Sequence, residues 1–88
     1  MSSIYAGIVC FNPEVSKLKE NIDAIKSQVN KVIIVDNGSA NYEEVVDYIQ
    51  KECPQIALFH NKNNLGIAKA LNQLCEFAFQ KGGKWLLT

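Results

Sequence analysis

An aspartate at the end of an apolar run is the position in this sequence best placed to do chemistry. Residues 32–35 read Val-Ile-Ile-Val, all β-branched, and Asp36 follows them directly. Such a run predicts a strand buried on both faces of a parallel sheet. Ligands of open α/β sheets bind beyond the carboxyl ends of the strands. Because a carboxylate accepts hydrogen bonds, Asp36 predicts a small-molecule ligand that offers a hydrogen-bond donor.

Three polar loops follow predicted strands, at residues 10–13 (Cys-Phe-Asn-Pro), 36–39 (Asp-Asn-Gly-Ser) and 61–66 (Asn-Lys-Asn-Asn-Leu-Gly). In a parallel sheet these loops converge on one edge. Phe11 could then pack against a base or a ribose, and Asp36 could accept a hydrogen bond from a ring N–H or a ribose hydroxyl. Gly66, at a helix start, would let backbone N–H groups approach a phosphate. The loops together predict a nucleotide-like ligand.

Ordinary structural roles compete with these functions. Asp-Asn-Gly-Ser is also common turn chemistry, so a turn or cap role for Asp36 is equally favoured. Phe11 could equally fill the core. His60, the one histidine, has no acid or nucleophile at a recognisable spacing, and Cys10 has no base nearby in sequence. Neither His60 nor Cys10 is predicted to be catalytic.

The hydrophobic periodicity predicts alternating strands and helices, in the order β-α-β-α-β-α-β. Strands are expected at 4–11, 31–35, 56–59 and 84–88, and helices at 13–29, 42–52 and 66–80. Asn12 is predicted to be the N-cap of the first helix, with Pro13 at its first position. Gly82 and Gly83 are predicted to end the third helix. Helical crossovers require parallel neighbouring strands, so the fold class is α/β.

Composition limits the partners and the compartment. The chain has 88 residues, 48% of them apolar, and nine basic residues balance nine acidic ones, which argues against nucleic acid as a partner. All the basic residues are lysine. Lys62 and Lys69, close to the third loop, could contact a diphosphate, although a solvated role is favoured. Three cysteines without a C-x-x-C pair predict reduced core thiols. No apolar run approaches the about 20 residues of a membrane span, and no signal peptide is evident, so a cytoplasmic protein is expected.

The chain lacks the residues that define two other nucleotide-binding folds and the receiver domain. A dinucleotide-binding unit requires G-x-G-x-x-G after the first strand, and residues 11–16 contain no glycine. A P-loop is absent for the same reason. A phosphoacceptor receiver domain would have acids after the first and third strands, where this chain has asparagines.

Four segments in order resemble the N-terminal half of family 2 glycosyltransferases of the GT-A fold, particularly bacterial rhamnosyltransferase-like members. They are residues 8–13, 35–39, 64–72 and 83–88. Each segment alone is weak evidence of membership, whereas four segments in this order at compatible spacings are fairly specific to the family. The resemblance implies a Rossmann-like three-layer α/β/α fold with a parallel four-stranded sheet in the order 3-2-1-4. Residues 1–88 would then be the truncated nucleotide-sugar-binding part of a GT-A domain.

The resemblance also implies that the chain binds a nucleotide-diphosphate sugar of the dTDP or UDP type. The residues expected to contact the nucleotide are Cys10, Phe11, Asn12, Asp36, Asn37, Gly38, Asn64 and Gly66. Where the family usually has Thr-Tyr, this chain has Cys10-Phe11, so packing and backbone contacts are expected there in place of hydroxyl hydrogen bonds.

The catalytic part of the family pattern is expected beyond Thr88. There the family has an Asp-x-Asp motif that binds Mg²⁺ or Mn²⁺, followed by the acceptor site and general base, and none of these is in this sequence. The chain is therefore expected to lack catalytic residues and turnover. The resemblance implies a parent reaction that transfers a sugar, with dTDP-rhamnose as the expected donor, to a cell-surface glycan at the inner face of the membrane.

Two alternatives stay open. The first is a non-catalytic truncated α/β module that self-associates through the open sheet edge at residues 85–88. The second is a nucleotidyltransferase, although such enzymes typically carry a glycine- and arginine-rich loop after the first strand, and this chain has none.

Overall fold

A computed structural model describes residues 4–80 and 85–87 of the chain, with side-chain surroundings up to residue 79. The strands are β1 (Ile4–Cys10), β2 (Lys31–Asn37), β3 (Ala57–Asn61) and β4 (Trp85–Leu87). The helices are α1 (Val15–Ile25), α2 (Tyr42–Glu52) and α3 (Ile67–Gln80). The predicted helix end at Gly82 and Gly83 lies outside the described residues.

The strands pair in parallel around β2. β1 and β3 flank it, and β4 pairs with residues 4–6 of β1, so the sheet runs β3-β2-β1-β4. Residues 32–35 of β2 are each at most 5% exposed, because helices cover both faces of this central strand. The predicted α/β class, with a parallel sheet and three helices, is confirmed.

The helices divide between the two faces of the sheet. Leu18 and Ile22 of α1 pack with Val45 and Ile49 of α2 against one face. On the other face, α3 buries one side formed by Ala70, Leu74 and Ala78. Both apolar sides follow a three- or four-residue spacing, the period of an amphipathic helix. None of the helices within residues 4–80 is long and apolar enough to cross a membrane.

The predicted start of the first helix is wrong. α1 begins at Val15, two residues after Pro13, and its N-cap is Glu14, whose side chain makes no capping hydrogen bond. Asn12 has a left-handed φ of 48°, whereas an N-cap residue needs an extended backbone. Its side-chain Oδ1 instead accepts a hydrogen bond of 2.7 Å from the backbone N–H of Ala40. Asn12 therefore joins two loops and does not cap a helix.

β3 extends further than predicted, and His60 and Asn61 belong to the strand, not to the following loop. The reason lies in β2, which also continues past its apolar run to Asn37 and pairs Asp36 with His60 and Asn37 with Asn61. Polar side chains at both strand ends thereby obtain partners across the sheet.

The cysteines differ from the predicted set of core thiols. Cys10 and Cys53 are buried, as expected, but Cys75 is exposed on α3. It lies on the side of α3 that turns away from Ala70 and Leu74, which face the sheet.

Candidate functional site

Two rows of polar side chains cross the carboxyl edge of the sheet. Cys10, Asp36 and His60 are Cα partners on β1, β2 and β3, and Asn37 pairs with Asn61 one residue further on. Successive residues of a strand point to opposite faces. The first row, here called the carboxylate row, therefore lies on the face covered by α1 and α2, and the Asn37–Asn61 row lies on the face covered by α3.

Asp36 is the centre of the carboxylate row, and it is fully buried, with 0% of its surface exposed. Its Oδ1 accepts hydrogen bonds from the backbone N–H groups of Gly38 (3.2 Å) and Ser39 (2.9 Å) and lies 3.3 Å from Nδ1 of His60. Its Oδ2 receives the thiol of Cys10 at 3.6 Å. Oδ1 thus fulfils the predicted turn role, while Oδ2 has a weak S–H donor.

Cys10 acts as a hydrogen-bond donor and not as a nucleophile. Burial, together with the charge and hydrogen bond of Asp36, raises the pKa of Cys10 from an ordinary 9.0 to about 12. The thiol is therefore protonated at neutral pH, and nucleophilic chemistry requires the thiolate.

His60 has an acid partner, contrary to the sequence-based prediction. Besides its contact with Asp36, its ring stacks on Tyr42 of α2, with ring centroids 3.7 Å apart and planes 20° apart. Burial, and then the nearby Asp36, raise the pKa of Tyr42, so its hydroxyl stays neutral. The stacked pair flanks the buried carboxylate.

Asn37 organises the opposite face. Its Nδ2 donates to Oδ1 of Asn64 (3.0 Å) and to the carbonyl of Gly66 (3.4 Å), and its Oδ1 accepts from Nδ2 of Asn61 (3.2 Å) and from the backbone N–H of Leu65 (3.0 Å). Asn61 in turn exchanges two hydrogen bonds with Gln73 of α3. The amide cluster, defined as Asn37, Asn61, Asn64 and Gln73, holds the third loop to β2 and α3.

The first loop is tied to the second by side chains. The backbone N–H of Asn12 donates to Oγ of Ser39 at 2.7 Å, and Nδ2 of Asn41 donates to the carbonyl of Pro13 at 2.8 Å. With the Asn12–Ala40 bond described above, these contacts place the first loop directly beside the second.

A close backbone approach joins the second loop to the third. Gly38 has φ 88°, and a Cβ built there would lie 2.7 Å from the backbone carbon of Asn63 and 2.7 Å from the backbone nitrogen of Asn64. No side chain fits in that space. Gly66 also has a positive φ, 85°, but a Cβ there would meet nothing within 4 Å. Gly38 is therefore required by both conformation and space, and Gly66 by conformation alone.

The structure brings the three predicted loops together at the carboxyl edge of the sheet, here also called the rim. The predicted residues differ in how accessible they are to a ligand. Phe11 is 51% exposed at that rim, so it does not fill the core. Asp36 and Asn37 are buried in internal hydrogen bonds. The backbone N–H of Gly66 donates to Oδ1 of Asn64 at 2.8 Å, so it is not free for a phosphate.

Sequence reasoning missed several members of the site: His60 as a partner of Asp36, together with Tyr42, Asn61 and Gln73. One signal was present in the sequence. Two apolar runs end in a polar pair, Asp36-Asn37 and His60-Asn61. Equal endings on successive strands of a parallel sheet are compatible with a register that places the pairs side by side, although they do not fix it.

Within residues 4–80 and 85–87, no group of three or more His, Cys, Asp or Glu side chains could hold a metal ion. The described residues therefore do not fit the divalent metal that the resemblance implies. What they provide is a buried carboxylate, an exposed aromatic ring and three loops fixed to one another, which suits binding and orientation of a ligand.

Comparisons with known proteins identify a family and a similar protein. The profile described as glycosyl transferase family 2 matches residues 5–88. The dTDP-rhamnosyl transferase RfbF of Shigella flexneri is 33% identical over 87 residues, which is 98% of this chain and 28% of the relative. The chain thus spans less than a third of the length of that relative.

Proposed function

This chain belongs to glycosyl transferase family 2, and from that premise we propose that residues 1–88 form the N-terminal nucleotide-binding part of a GT-A domain that transfers a sugar from a nucleoside-diphosphate donor. One observation carries the proposal. Asp36 is a fully buried carboxylate at the carboxyl edge of the sheet, and its Oδ2 has a thiol as its donor. A stronger hydrogen-bond donor than a thiol would stabilise this buried carboxylate.

A thymine or uracil base supplies such a donor. The N3–H of either base would donate to Oδ2 of Asp36 in place of the Cys10 thiol, and the exposed ring of Phe11 would pack against the nucleoside. A hydrogen bond to a charged group contributes about 1.5–3 kcal/mol, more than a neutral one. Asn12, Gly38 and Asn64 would shape the rim around the nucleotide through the loop contacts already described.

The relative named above supports a dTDP-sugar donor, and we include dTDP-rhamnose, with UDP-sugars as the other class. The acceptor in this proposal is a cell-surface glycan, and the reaction takes place in the cytoplasm at the inner face of the membrane. The Mg²⁺ or Mn²⁺ of the family would be held by residues outside those described, and so would the general base. The strand order 3-2-1-4 would persist in a longer domain, as the pairing of β4 with β1 supports.

The test is a nucleotide titration followed by ¹H–¹⁵N correlation spectra of the 88-residue chain. We expect dTDP at millimolar concentration to shift the amides of Phe11, Gly38 and Gly66. The base control is dCDP, because N3 of cytosine carries no hydrogen and would face the carboxylate with a lone pair. We expect dCDP to bind at least about tenfold more weakly than dTDP.

Two variants complete the design. Asp36→Asn should weaken dTDP binding about tenfold or more, since the carboxylate acceptor is lost. Asp47→Asn is the matched control, because Asp47 is an exposed aspartate on α2 that pairs with Lys51, and its substitution should leave binding unchanged. Equal binding of dTDP and dCDP, or an Asp36→Asn chain that binds like the parent, would refute the proposal.

A second candidate function is self-association. An open groove of about 510 Å³ follows residues 6–9 of β1, between α1 and α3, and Ile67 at its border is 63% exposed. β4 is the last strand in the order β3-β2-β1-β4, and a second copy could add a strand to its outer edge. Sedimentation velocity at concentrations a hundredfold apart tests the idea, and a single monomeric species throughout would exclude it.

A further inference from the structure

His60 contacts Asp36, the carboxylate to which the proposed function assigns the nucleotide base. It pairs with Asp36 in the register of β2 and β3, so both side chains lie on the same face of the sheet. The 3.3 Å separation between Nδ1 and Oδ1 is within hydrogen-bonding distance. One face of the imidazole stacks on the ring of Tyr42, with the ring centroids 3.7 Å apart. The ring is thus held between a carboxylate and an aromatic plane.

The direction of this hydrogen bond fixes the protonation pattern of the ring. An ionised carboxylate only accepts hydrogen bonds, so Nδ1 of His60 must carry the proton that faces Asp36. In an unconstrained neutral imidazole the proton lies mainly on Nε2. The contact therefore selects the less common tautomer, which gives the arrangement a spectroscopic signature.

The hydrogen bonds to Asp36 are unequally divided between its two oxygens. Oδ1 faces three donors: the backbone N–H groups of Gly38 and Ser39, and His60. Oδ2 faces the Cys10 thiol. We propose that His60 is a positioning residue that holds Oδ1 in this saturated state, so that Oδ2 is the oxygen presented to the N3–H of a pyrimidine nucleotide; the part concerning the nucleotide rests on the proposed function.

The first experiment needs no nucleotide. His60 is the one histidine in the chain, so long-range ¹H–¹⁵N spectra report its two ring nitrogens without overlap. We expect Nδ1 to show the shift of a protonated nitrogen when the ring is neutral, and Asp36→Ala, which removes the acceptor, to move the proton towards Nε2. Asp47→Asn should leave the tautomer unchanged. A neutral His60 with its proton on Nε2 in the parent chain would overturn the proposal.

The second experiment separates the hydrogen bond from the stacking. His60→Asn keeps a side-chain N–H close to the position of Nδ1 and removes the ring, whereas His60→Phe keeps a ring against Tyr42 and removes the donor. We expect dTDP binding about threefold to tenfold weaker for His60→Phe, and within about twofold of the parent for His60→Asn. A purely structural role would weaken binding in both variants, or more in His60→Asn, and either result would overturn the proposal.

The two proposals can fail separately. If dTDP does not bind the parent chain while the Nδ1–H tautomer is present, the nucleotide function falls and the hydrogen bond that fixes Asp36 stands. If dTDP binds and dCDP does not, but His60→Phe binds like the parent, the nucleotide function stands and the positioning role falls.

Discussion

Gly38 and Gly66, the two glycines with positive φ among the described residues, allow the contact between the second and third loops to be measured. Gly38→Ala and Gly66→Ala each place an alanine in the left-handed region, with φ values of 88° and 85°, at a common cost of about 1–2 kcal/mol. At Gly38 alone the new Cβ meets backbone atoms at 2.7 Å, and such overpacking adds about 1–3 kcal/mol. We therefore expect Gly38→Ala to lower the free energy of unfolding by about 2–5 kcal/mol, and Gly66→Ala by about 1–2 kcal/mol.

The difference between the variants is the informative quantity, because the conformational cost cancels and the steric cost remains. A domain of 88 residues has an unfolding free energy of about 4–13 kcal/mol, so Gly38→Ala removes a large share of it. Urea unfolding followed by circular dichroism measures both values. The slope of free energy against urea should stay the same, since the folded states bury similar surfaces.

Equal losses in the two variants, within about 0.5 kcal/mol, would refute the reasoning, because the close approach of Gly38 to Asn63 and Asn64 would then contribute nothing. Amide spectra of Gly38→Ala provide the structural check. Shifts should concentrate at residues 61–66, where the displaced loop lies, and spare residues 18–25 of α1.

Three further predictions follow from the buried polar groups. Asn37→Ala should lower the free energy of unfolding by about 2–4 kcal/mol, because partners in β3 and in the third loop lose their hydrogen bonds. It should also speed hydrogen exchange of the Leu65 amide, and unchanged exchange would contradict the role of Asn37. Cys75 should react with a thiol reagent at neutral pH, while Cys10 and Cys53 react only as fast as the chain unfolds; simultaneous labelling of all three in the folded state would contradict their placement. Stability should fall in alkali. The pKa of Cys10 is raised from 9.0 to about 12, so the protonated thiol stabilises the folded state below about pH 9, and this contribution is lost as the pH rises towards 12. The free energy of unfolding should fall by up to about 1.4 kcal/mol per pH unit because of this one group. Urea unfolding at a series of pH values should show a smaller fall for Cys10→Ala. The same fall in the variant and the parent chain would contradict the raised pKa of Cys10.

The elements were predictable where local chemistry decides them. α2 has the predicted bounds, Tyr42–Glu52, because two glutamates open it, a lysine lies in its last turn and Pro54 follows closely. β2 follows from its β-branched run. The start of α1 was misjudged because an Asn-Pro pair is typical of a helix start, whereas Asn12 bonds to residues 27 and 28 positions away.

The site was predictable only as far as its loops. A parallel sheet brings the three loops to one edge in any residue register of its strands, so their convergence could be predicted without knowing the register. The contact between His60 and Asp36 does depend on the register of β2 and β3, because the two residues are 24 positions apart. The residue of β3 that lies beside Asp36 is set by how α2, which connects the two strands, packs on the sheet. The exposure of Phe11 likewise depends on where the first loop leaves the sheet.

The amide cluster that fastens the third loop contains no formal charge: Asn37, Asn61, Asn64 and Gln73 are all neutral at any physiological pH. Ionic strength screens charged pairs and leaves such dipolar contacts nearly untouched. The scaffold should therefore hold its shape from dilute buffer to concentrated salt. An anionic ligand that binds at this edge of the sheet would change the local electrostatic potential without weakening the hydrogen bonds of the amide cluster.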